Sequence, residues 1–441
     1  MKSHHSSRRQ SSLKPGFLPW LIWVLAAVFV VFNYVQQVVP NVIAVDLSQA
    51  FNASGSTLGN IAAAYFYAYA LLQIPVGLIV DRFGTRRPLI IAILMAGIGT
   101  LGFARAHDSG SAQLARLLMG ASAAFSFIGC LKLSQAWFPP SKFSTLAGMT
   151  NTAGMLGAAS GAPVAVLVKA IGWRAAVAWM GGAEMFLAIL VFAVVRDRPA
   201  DNASSPATHP SAKISQGLFG VLANPQVWIN GIYATTISLV FVAFGGLWGA
   251  GYIQKVYGLD SVGAAGAGSY LFLGGIAGSL FFGWFSDYLR RRKFPMVVAG
   301  VGALVAMSGL LYLPRLPLVE FKAGLFLVGF FSSANIVSYA VARDLYPRLA
   351  GFSIGLLSTC YFAGSAASQP LVGMLLERGH FNGSVTGLAA LTAGDYRFAL
   401  SPLVGFMFVG LIASLLLKEP STERIAATPL VSLKPADVGH S

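Results

Sequence analysis

The sequence predicts an all-α integral membrane protein of twelve transmembrane helices, arranged as two repeats of six helices. Three observations support this prediction. Apolar runs long enough to cross a bilayer recur along the whole chain, charged residues are scarce, and landmarks of the first half recur in the second half at a nearly constant spacing. The hydropathy pattern sets the number of helices, and the recurring landmarks divide them into halves.

Composition places most of the chain in lipid. Of its 441 residues, 56% are hydrophobic and 10% are charged, whereas soluble domains carry about 25% charged residues. The formal net charge of +15 would suit nucleic-acid binding, but Lys and Arg are concentrated in short loops between apolar runs, which is typical of membrane topology. We therefore expect a lipid bilayer as the surrounding medium and no nucleic-acid partner.

The apolar runs are about 20 residues long, the length that an α-helix needs to cross the bilayer core. Because the runs are continuous, they do not have the alternating pattern of a membrane β-barrel. The first six predicted helices are Phe17–Val39, Leu58–Val80, Pro88–Phe103, Ala112–Trp137, Thr145–Val168 and Ala175–Val195. The second six are Val227–Ile253, Ala264–Ser286, Pro295–Leu313, Ala323–Ala342, Gly351–Leu376 and Phe398–Leu417.

The loop charges predict the orientation. Most of the 30 Lys and Arg residues fall on one side of the membrane, and the positive-inside rule makes that side cytoplasmic, together with both termini. We expect cytoplasmic tails at residues 1–16 and 419–441, six-helix halves at 17–196 and 223–418, and a flexible cytoplasmic linker at 197–222. The predicted location is the inner (plasma) membrane.

Recurring landmarks indicate that the two halves share a fold. The segment from Gly77 to Arg87, after helix 2, has a counterpart from Gly283 to Lys293, after helix 8. The other landmarks are three pairs at nearly the same spacing: Pro140 with Pro347, Gly148 with Gly355, and Pro163 with Pro370. Coincidences in three places favour parallel repeats related by an axis along the membrane normal.

The loop after helix 2 reads Gly-x-x-x-Asp-Arg-x-Gly-x-Arg-Arg, which resembles the signature loop of the major facilitator superfamily. The resemblance covers nearly the whole chain and implies that the loop gates transport. The glycine would let helices 2 and 11 pack closely, and the aspartate would meet loop cations and a helix N-terminus. The gating residues would be Gly77, Asp81, Arg82, Gly84, Arg86 and Arg87, with Gly283, Asp287 and Arg290 in a degenerate second copy. The alternative is that the arginines only set the topology.

Three charged residues fall within the predicted helices, where each costs roughly 2.5 to 3.5 kcal/mol at the bilayer centre. Arg116 in helix 4 is similar to the family's helix 4 arginine motif, which implies substrate or proton handling, and snorkelling to the outer interface is the alternative. Lys132, nearer the cytoplasmic end of helix 4, could attract an anionic substrate or a carboxylate of the protein, or snorkel to the inner interface. Glu184 in helix 6 could carry a proton or form structural hydrogen bonds.

Other polar residues lie in helices 1, 7 and 10, which in the family form the central cavity together with helix 4. Polar side chains that face lipid have no partner, so we expect these to face the cavity or a neighbouring helix. The candidates for substrate contact are Asn33, Gln36, Gln37, Tyr233, Thr236, Asn335 and Tyr339.

The sequence contains no nucleotide-binding motif, so the energy for transport would come from an ion gradient or the solute's own gradient. Its six histidines lie in termini or loops, and no residue set indicates an enzyme, a metal site or a cofactor. We predict a monomeric, proton-coupled transporter of a small organic solute, either an anionic metabolite or a siderophore-like compound. Two alternatives remain open: a proton-coupled drug efflux antiporter, and a membrane receptor or sensor that does not transport.

Overall fold

A computed structural model describes residues 16–139, 142–197, 214–379 and 391–419. All regular secondary structure in these ranges is helical. Eleven helices are long and apolar enough to cross a membrane, and a bent pair makes the twelfth. The predicted all-α membrane fold is therefore confirmed. Residues 1–15 and 420–441 of the predicted tails, most of the linker and the landmark Pro140 lie outside the described residues.

The twelve helices begin and end close to the predicted positions. Helices 1 to 6 are Phe17–Val42, Gly55–Phe83, Arg86–Ala104, Ser109–Trp137, Phe143–Ala159 with Gly161–Ile171, and Trp173–Val194. Helices 7 to 12 are Pro225–Tyr257, Ser261–Leu289, Lys293–Tyr312, Leu318–Ser332 with Asn335–Leu345, Ala350–Gly379, and Ala393–Leu400 with Pro402–Leu416. Several start earlier than hydropathy predicts because a polar residue caps them: Ser54, Asp108 and Asp260 each accept a backbone N–H bond in the first turn.

Two short helices were not predicted. One is Ala44–Phe51, directly after helix 1. The other is Ile214–Ala223, which corrects the prediction of a flexible linker through residue 222. Val221 of this helix is buried against Val227 and Leu356, so apolar burial orders the end of the linker.

Helices 5 and 7 depart from regular α geometry. Helix 5 bends by 41° between its two segments, close to Gly161 and Pro163, where proline removes a helical hydrogen bond. Helix 7 contains a π-helical turn over Phe244–Trp248. Such turns are rare and occur mostly at functional positions.

The two halves pack against each other through helices 2 and 11, 1 and 7, and 5 and 8. A Cβ at Gly59 would lie 2.7 Å from the Pro370 nitrogen, and one at Gly55 would lie 2.7 Å from the Gly373 oxygen. The close approach of helices 2 and 11 therefore depends on Gly55 and Gly59. At the predicted contact glycine, Gly77, an added Cβ would have no atom within 4 Å, so in this conformation Gly77 does not close the two helices together.

Candidate functional site

The end of the bundle that carries residues 81–87 and 287–293 is called the motif end, and the opposite end the far end. At the far end, the Asn41 side chain of helix 1 forms hydrogen bonds with helix 7 within and directly after its π-helical turn. Its Nδ2 donates to the Gly245 carbonyl at 2.8 Å, and its Oδ1 accepts from the Ala250 N–H at 2.8 Å. Asn41 thus satisfies helix 7 backbone groups across the boundary between the halves.

Two carboxylates also join the halves at the far end. Glu377 of helix 11 accepts a hydrogen bond of 2.7 Å from the Ser56 N–H at the start of helix 2, where a carboxylate stabilises the helix N-terminus. Asp260 at the start of helix 8 lies 3.3 Å from Lys169 of helix 5. The far end is therefore closed.

The motif end carries no hydrogen bond or ion pair between the halves among the described residues. Lys132 Nζ of helix 4 lies 2.6 Å from Asp81 Oδ1 at the end of helix 2, and these side chains are 37% and 61% exposed. Both belong to the N-terminal half. The geometry does not support the predicted cavity role of Lys132, because its ammonium is held by the motif aspartate.

The N-terminus of helix 3, directly after the motif glycine Gly84, is occupied by Asp197 rather than by Asp81. Asp197 Oδ1 accepts hydrogen bonds from the Thr85 and Arg86 N–H groups at 2.6 and 2.7 Å, where the helix dipole favours a negative charge. Gly84 has a φ of +78°, and a Cβ there would lie 2.8 Å from the Asp197 carboxylate, so this position requires glycine. Asp197 therefore belongs to the N-terminal half and not to the linker.

Glu419 has the equivalent role in the second half. It accepts hydrogen bonds from backbone N–H groups at the start of helix 9, including that of Lys293 at 3.0 Å. The basic side chains at the two helix starts also correspond: Arg86 donates to the Phe192 carbonyl at 2.7 Å, and Lys293 to the Leu415 carbonyl at 2.6 Å. The repeat therefore includes helices 6 and 12, and residue 419 belongs to the C-terminal half rather than to the tail.

The second motif copy uses a different cation from the predicted one. Arg292 pairs with Asp287 at 2.6 Å and with Asp344 at 3.1 Å. Arg290 instead ends helix 8 with a left-handed φ of +51°, at the place that Gly84 holds in the first copy. Gly283 resembles Gly77 in that an added Cβ would have no atom within 4 Å.

The remaining motif arginines are exposed. Arg82 lies over the ring of its neighbour Phe83, at 5.4 Å from the centroid. In the part of the chain that the structure describes, neither Arg82 nor Arg87 forms an ion pair. Their position agrees with the alternative that they set the topology.

Replacing Lys132 by alanine is expected to slow the transport cycle as much as replacing Asp81 by asparagine, because both changes remove the same ion pair. The double variant should be no slower than either single variant, since contacting residues have non-additive effects. Initial uptake rates in liposomes would measure this, with Lys418→Ala as an exposed control. A raised KM with an unchanged maximal rate for Lys132→Ala would instead restore its role in substrate binding.

A cluster of tyrosines lies between the halves near the centre of the bundle. The tyrosine cluster consists of Tyr34 of helix 1, Tyr69 of helix 2, Tyr339 of helix 10 and Tyr361 of helix 11, which are close enough to interact electrostatically. The Tyr69 ring stacks on Phe362 of helix 11 with centroids 3.8 Å apart. The cluster thus combines aromatic surface with hydroxyl groups from both halves.

Two hydroxyls of the tyrosine cluster have no hydrogen-bond partner in the part of the chain that the structure describes. Tyr339 lies near Ser358 and Tyr361 near Ser365, whereas the Tyr34 and Tyr69 hydroxyls have no partner among the described residues. Gly154 leaves room for the Tyr34 ring, since a Cβ at Gly154 would lie 2.8 Å from a ring carbon. Tyr69 was not predicted, because the resemblance directs attention to helices 1, 4, 7 and 10, although a run of aromatic residues in helix 2 is a visible signal.

The predicted cavity residues divide into two groups. Tyr339 belongs to the tyrosine cluster, Gln37 lies near Tyr65, and Asn335 is half-buried at the start of the second segment of helix 10. Tyr233 and Thr236 point away from the centre: the Tyr233 hydroxyl donates to the Met296 carbonyl of helix 9, and Thr236 lies against Gly410 of helix 12. Asn33 is buried and bonds within helix 1.

Arg116 is buried inside the N-terminal half, with 1% of its surface exposed, so it does not snorkel to the interface. Its guanidinium donates to the Gln36 carbonyl at 2.7 Å and to the Ala62 carbonyl at 3.4 Å. It also lies 4.8 Å from the centroid of the Tyr65 ring, a cation–π contact. No described carboxylate pairs with it, so its positive charge is balanced only by dipoles and an aromatic face.

Glu184 is completely buried in helix 6, with 0% exposure. Gln36 Nε2 of helix 1 donates to one carboxyl oxygen, and Thr100 Oγ1 of helix 3 lies 2.8 Å from the other. Gln36 therefore touches both of the fully buried charged residues, through its side chain to Glu184 and through its carbonyl to Arg116. Intramembrane ionisable groups held in this way are functional candidates.

Comparison with known protein families identifies the family of this chain. The family model described as Major Facilitator Superfamily matches residues 22–369. The chain belongs to the major facilitator superfamily. The predicted resemblance is thereby confirmed, and the protein is a multi-pass membrane protein of a transporter family rather than an enzyme.

The chain is similar in sequence to several transporters and sensors, and in fold to solved transporter structures. The chain is 25% identical to the membrane sensor protein UhpC of Salmonella typhimurium, over 79% of this chain and 83% of that protein. It is 23% identical to the probable galactarate/D-glucarate transporter GudP of Escherichia coli, over 87% of this chain and 96% of that protein. It superposes with a TM-score of 0.75 on a bacterial homolog of the human lysosomal transporter Spinster in an inward-facing and occupied conformation, at 16% identity and with coverage of 92% and 97%.

Proposed function

We propose that this superfamily member is a proton-coupled transporter of a small hydroxylated organic anion. The observation that carries the proposal is the tyrosine cluster between the halves. Tyr34 and Tyr69 offer phenol O–H groups to a carboxylate or hydroxyl, and aromatic faces surround them. A site between the two repeats is accessible from either side as the halves rock.

Charge favours an anion over a neutral or cationic solute. Arg116 is buried and no carboxylate within the described ranges pairs with it; its guanidinium lies over the Tyr65 ring, whose centroid is 6.0 Å from that of Tyr69. A buried, unneutralised cation raises the local potential in a low-dielectric region. The relative GudP, a probable galactarate/D-glucarate transporter, has the substrate class that this combination of hydroxyls and positive charge would bind.

The distribution of loop charges and the closed far end together favour an inward-facing conformation. With the motif loops on the cytoplasmic side of the inner membrane, as the positive-inside rule predicts, the closed far end faces outward. The protein would then be inward-facing. Asn41, Glu377 and Lys169 would form the outer gate, whose inter-half bonds break when the site opens to the other side.

Uptake by the pure protein in liposomes tests the function. Radiolabelled D-glucarate and galactarate would be offered with an inward proton gradient, and a protonophore would provide the control. We expect accumulation that depends on the gradient. Accumulation of drugs but not of these anions would favour efflux, and transport indifferent to the gradient would contradict proton coupling.

A sensor is the second candidate function, because the chain resembles the membrane sensor protein UhpC. A sensor binds its ligand without moving it across the membrane. Saturable binding of D-glucarate to protein that shows neither net uptake nor exchange would establish this function. Flux would exclude a purely sensory role.

Tyr69→Phe is expected to raise the KM for the anion about fivefold, because a neutral hydrogen bond contributes about 1 kcal/mol and the aromatic ring remains in place without its hydroxyl. Tyr67→Phe is the matched control, since Tyr67 lies on the same helix with 41% of its surface exposed. Uptake kinetics over a range of substrate concentrations would measure both. Equal KM values for the two variants would remove Tyr69 from the binding site.

A further inference from the structure

Glu184, Thr100 and Gln36 form a buried network whose hydrogen bonds can be counted. The two hydrogens on Gln36 Nε2 reach Thr100 Oγ1, at 2.8 Å, and a Glu184 oxygen. Thr100 Oγ1 also lies 2.8 Å from the other Glu184 oxygen and 2.9 Å from the Ala96 carbonyl. Four contacts therefore share the hydrogens of one amide, one hydroxyl and one carboxyl group.

The count differs between the two protonation states of Glu184. A threonine hydroxyl has one hydrogen and accepts up to two bonds. If the carboxyl group is protonated, it donates to Thr100, Thr100 donates to the Ala96 carbonyl, and all four contacts are hydrogen bonds. If the carboxylate is ionised, Thr100 must turn its hydrogen toward it, and the contact with Ala96 is lost. The observed geometry thus accommodates a proton on Glu184, and its loss needs only a rotation of the Thr100 hydroxyl.

A small cavity connects this network to Arg116. It has a volume of about 10 Å³ and is bordered by Gln36, Thr100 and Arg116, which is roughly the space for one water molecule. Gln36 Oε1 and Arg116 Nε are buried and have no partner in the described part of the chain. One atom accepts and the other donates, so a single water could bond to both and link the side chain of Gln36 to the guanidinium.

We propose that Glu184 is the proton-binding site that couples transport to the proton gradient, with Gln36 connecting it to Arg116. This inference rests on the proposed function, since it names the coupling residue of that transporter. Tyr65 on helix 2 is the described titratable group that interacts electrostatically with Glu184, and the Arg116 guanidinium lies over the ring of the same tyrosine. Because Gln36 contacts both groups, an ionised Glu184 would offset part of the positive charge of Arg116, whereas a protonated Glu184 would leave that charge available to an anion near the tyrosine cluster.

Proton and anion binding therefore favour each other, because the coupling between two sites is reciprocal. A substrate anion raises the cost of a second negative charge inside the N-terminal half, so Glu184 takes up a proton when the anion binds. The anion then binds more tightly as the pH falls. Anion and proton move together, which makes the protein a symporter.

Glu184→Gln tests the proposal, because glutamine can donate to Thr100 as the protonated carboxyl group does but cannot release a proton. We expect at least a tenfold loss of gradient-driven D-glucarate accumulation in liposomes, while exchange of D-glucarate across the membrane persists. The affinity of the variant should not change with pH. Glu320→Gln, at an exposed position of helix 10, is the matched control and should behave as the wild type.

A second measurement needs no variant: wild-type protein in weakly buffered detergent should take up protons when D-glucarate is added, as seen with a pH indicator. Gradient-driven accumulation by Glu184→Gln, or D-glucarate binding to the wild type without proton uptake, would overturn the assignment of Glu184 and leave the proposed function standing. Absence of any D-glucarate flux in the wild type would overturn the proposed function and this inference with it.

Discussion

Replacing Arg116 by leucine is expected to reduce uptake of the organic anion at least 100-fold without unfolding the protein. The variant removes the buried positive charge that the proposed substrate requires. Its effect on stability should be small, because an apolar side chain of similar volume avoids the desolvation cost of a buried ion. Uptake in liposomes and the melting temperature in detergent would be measured together.

Two further variants separate charge from packing at this position. Arg116→Lys keeps the positive charge but loses the two-branched donation to the Gln36 and Ala62 carbonyls, so it should retain partial uptake. Arg105→Leu is the control, because Arg105 is exposed at the end of helix 3. Normal uptake by Arg116→Leu would show that the guanidinium only packs the interior.

Replacing Gly120 by alanine is expected to destabilise the fold more than any other substitution considered. A Cβ at Gly120 of helix 4 would overlap the Tyr65 carbonyl of helix 2, and a backbone atom cannot move aside without moving its helix. Overpacking costs about 1 to 3 kcal/mol, while glycine to alanine in a helix otherwise gains about 1 kcal/mol. We expect a lower melting temperature in detergent and a poor yield of monodisperse protein.

Gly182→Ala is the matched control for this prediction. Gly182 is exposed in helix 6, and an added Cβ would have no atom within 4 Å, so alanine should leave the melting temperature unchanged or raise it. Equal stability of the two variants would mean that helices 2 and 4 are not packed as closely as described. Tyr65 would then not be held firmly beneath Arg116.

Apolar run length was sufficient to predict the twelve helices. The bilayer constrains each segment along a single axis, so hydropathy alone determines where a span begins and ends within a few residues. The internal repeat and the motif loop were also readable, because they are local patterns of residue types. Gly84 is an example: its place in the motif was predicted, and its positive φ explains why the motif has glycine at this position.

Sequence position specified how deep a residue lies in the membrane but not which way it faces. Lys132 was placed correctly near the motif end of helix 4, yet packing turns it to Asp81, 51 residues earlier in the chain. Tyr233 was assigned to the cavity by its helix, and its face directs it to helix 9. The direction of a side chain around a helix axis depends on which helices surround it, and this is a property of the tertiary structure.

The sequence by itself therefore determined the membrane fold, the superfamily and the presence of buried charges. Only the tertiary structure decided their partners: Asp197 at the start of helix 3, Tyr69 between the halves, and Glu184 joined to Gln36 across 148 residues of chain. Such contacts form between helices distant in sequence, because each polar group in lipid must find its partner on whichever helix packs beside it.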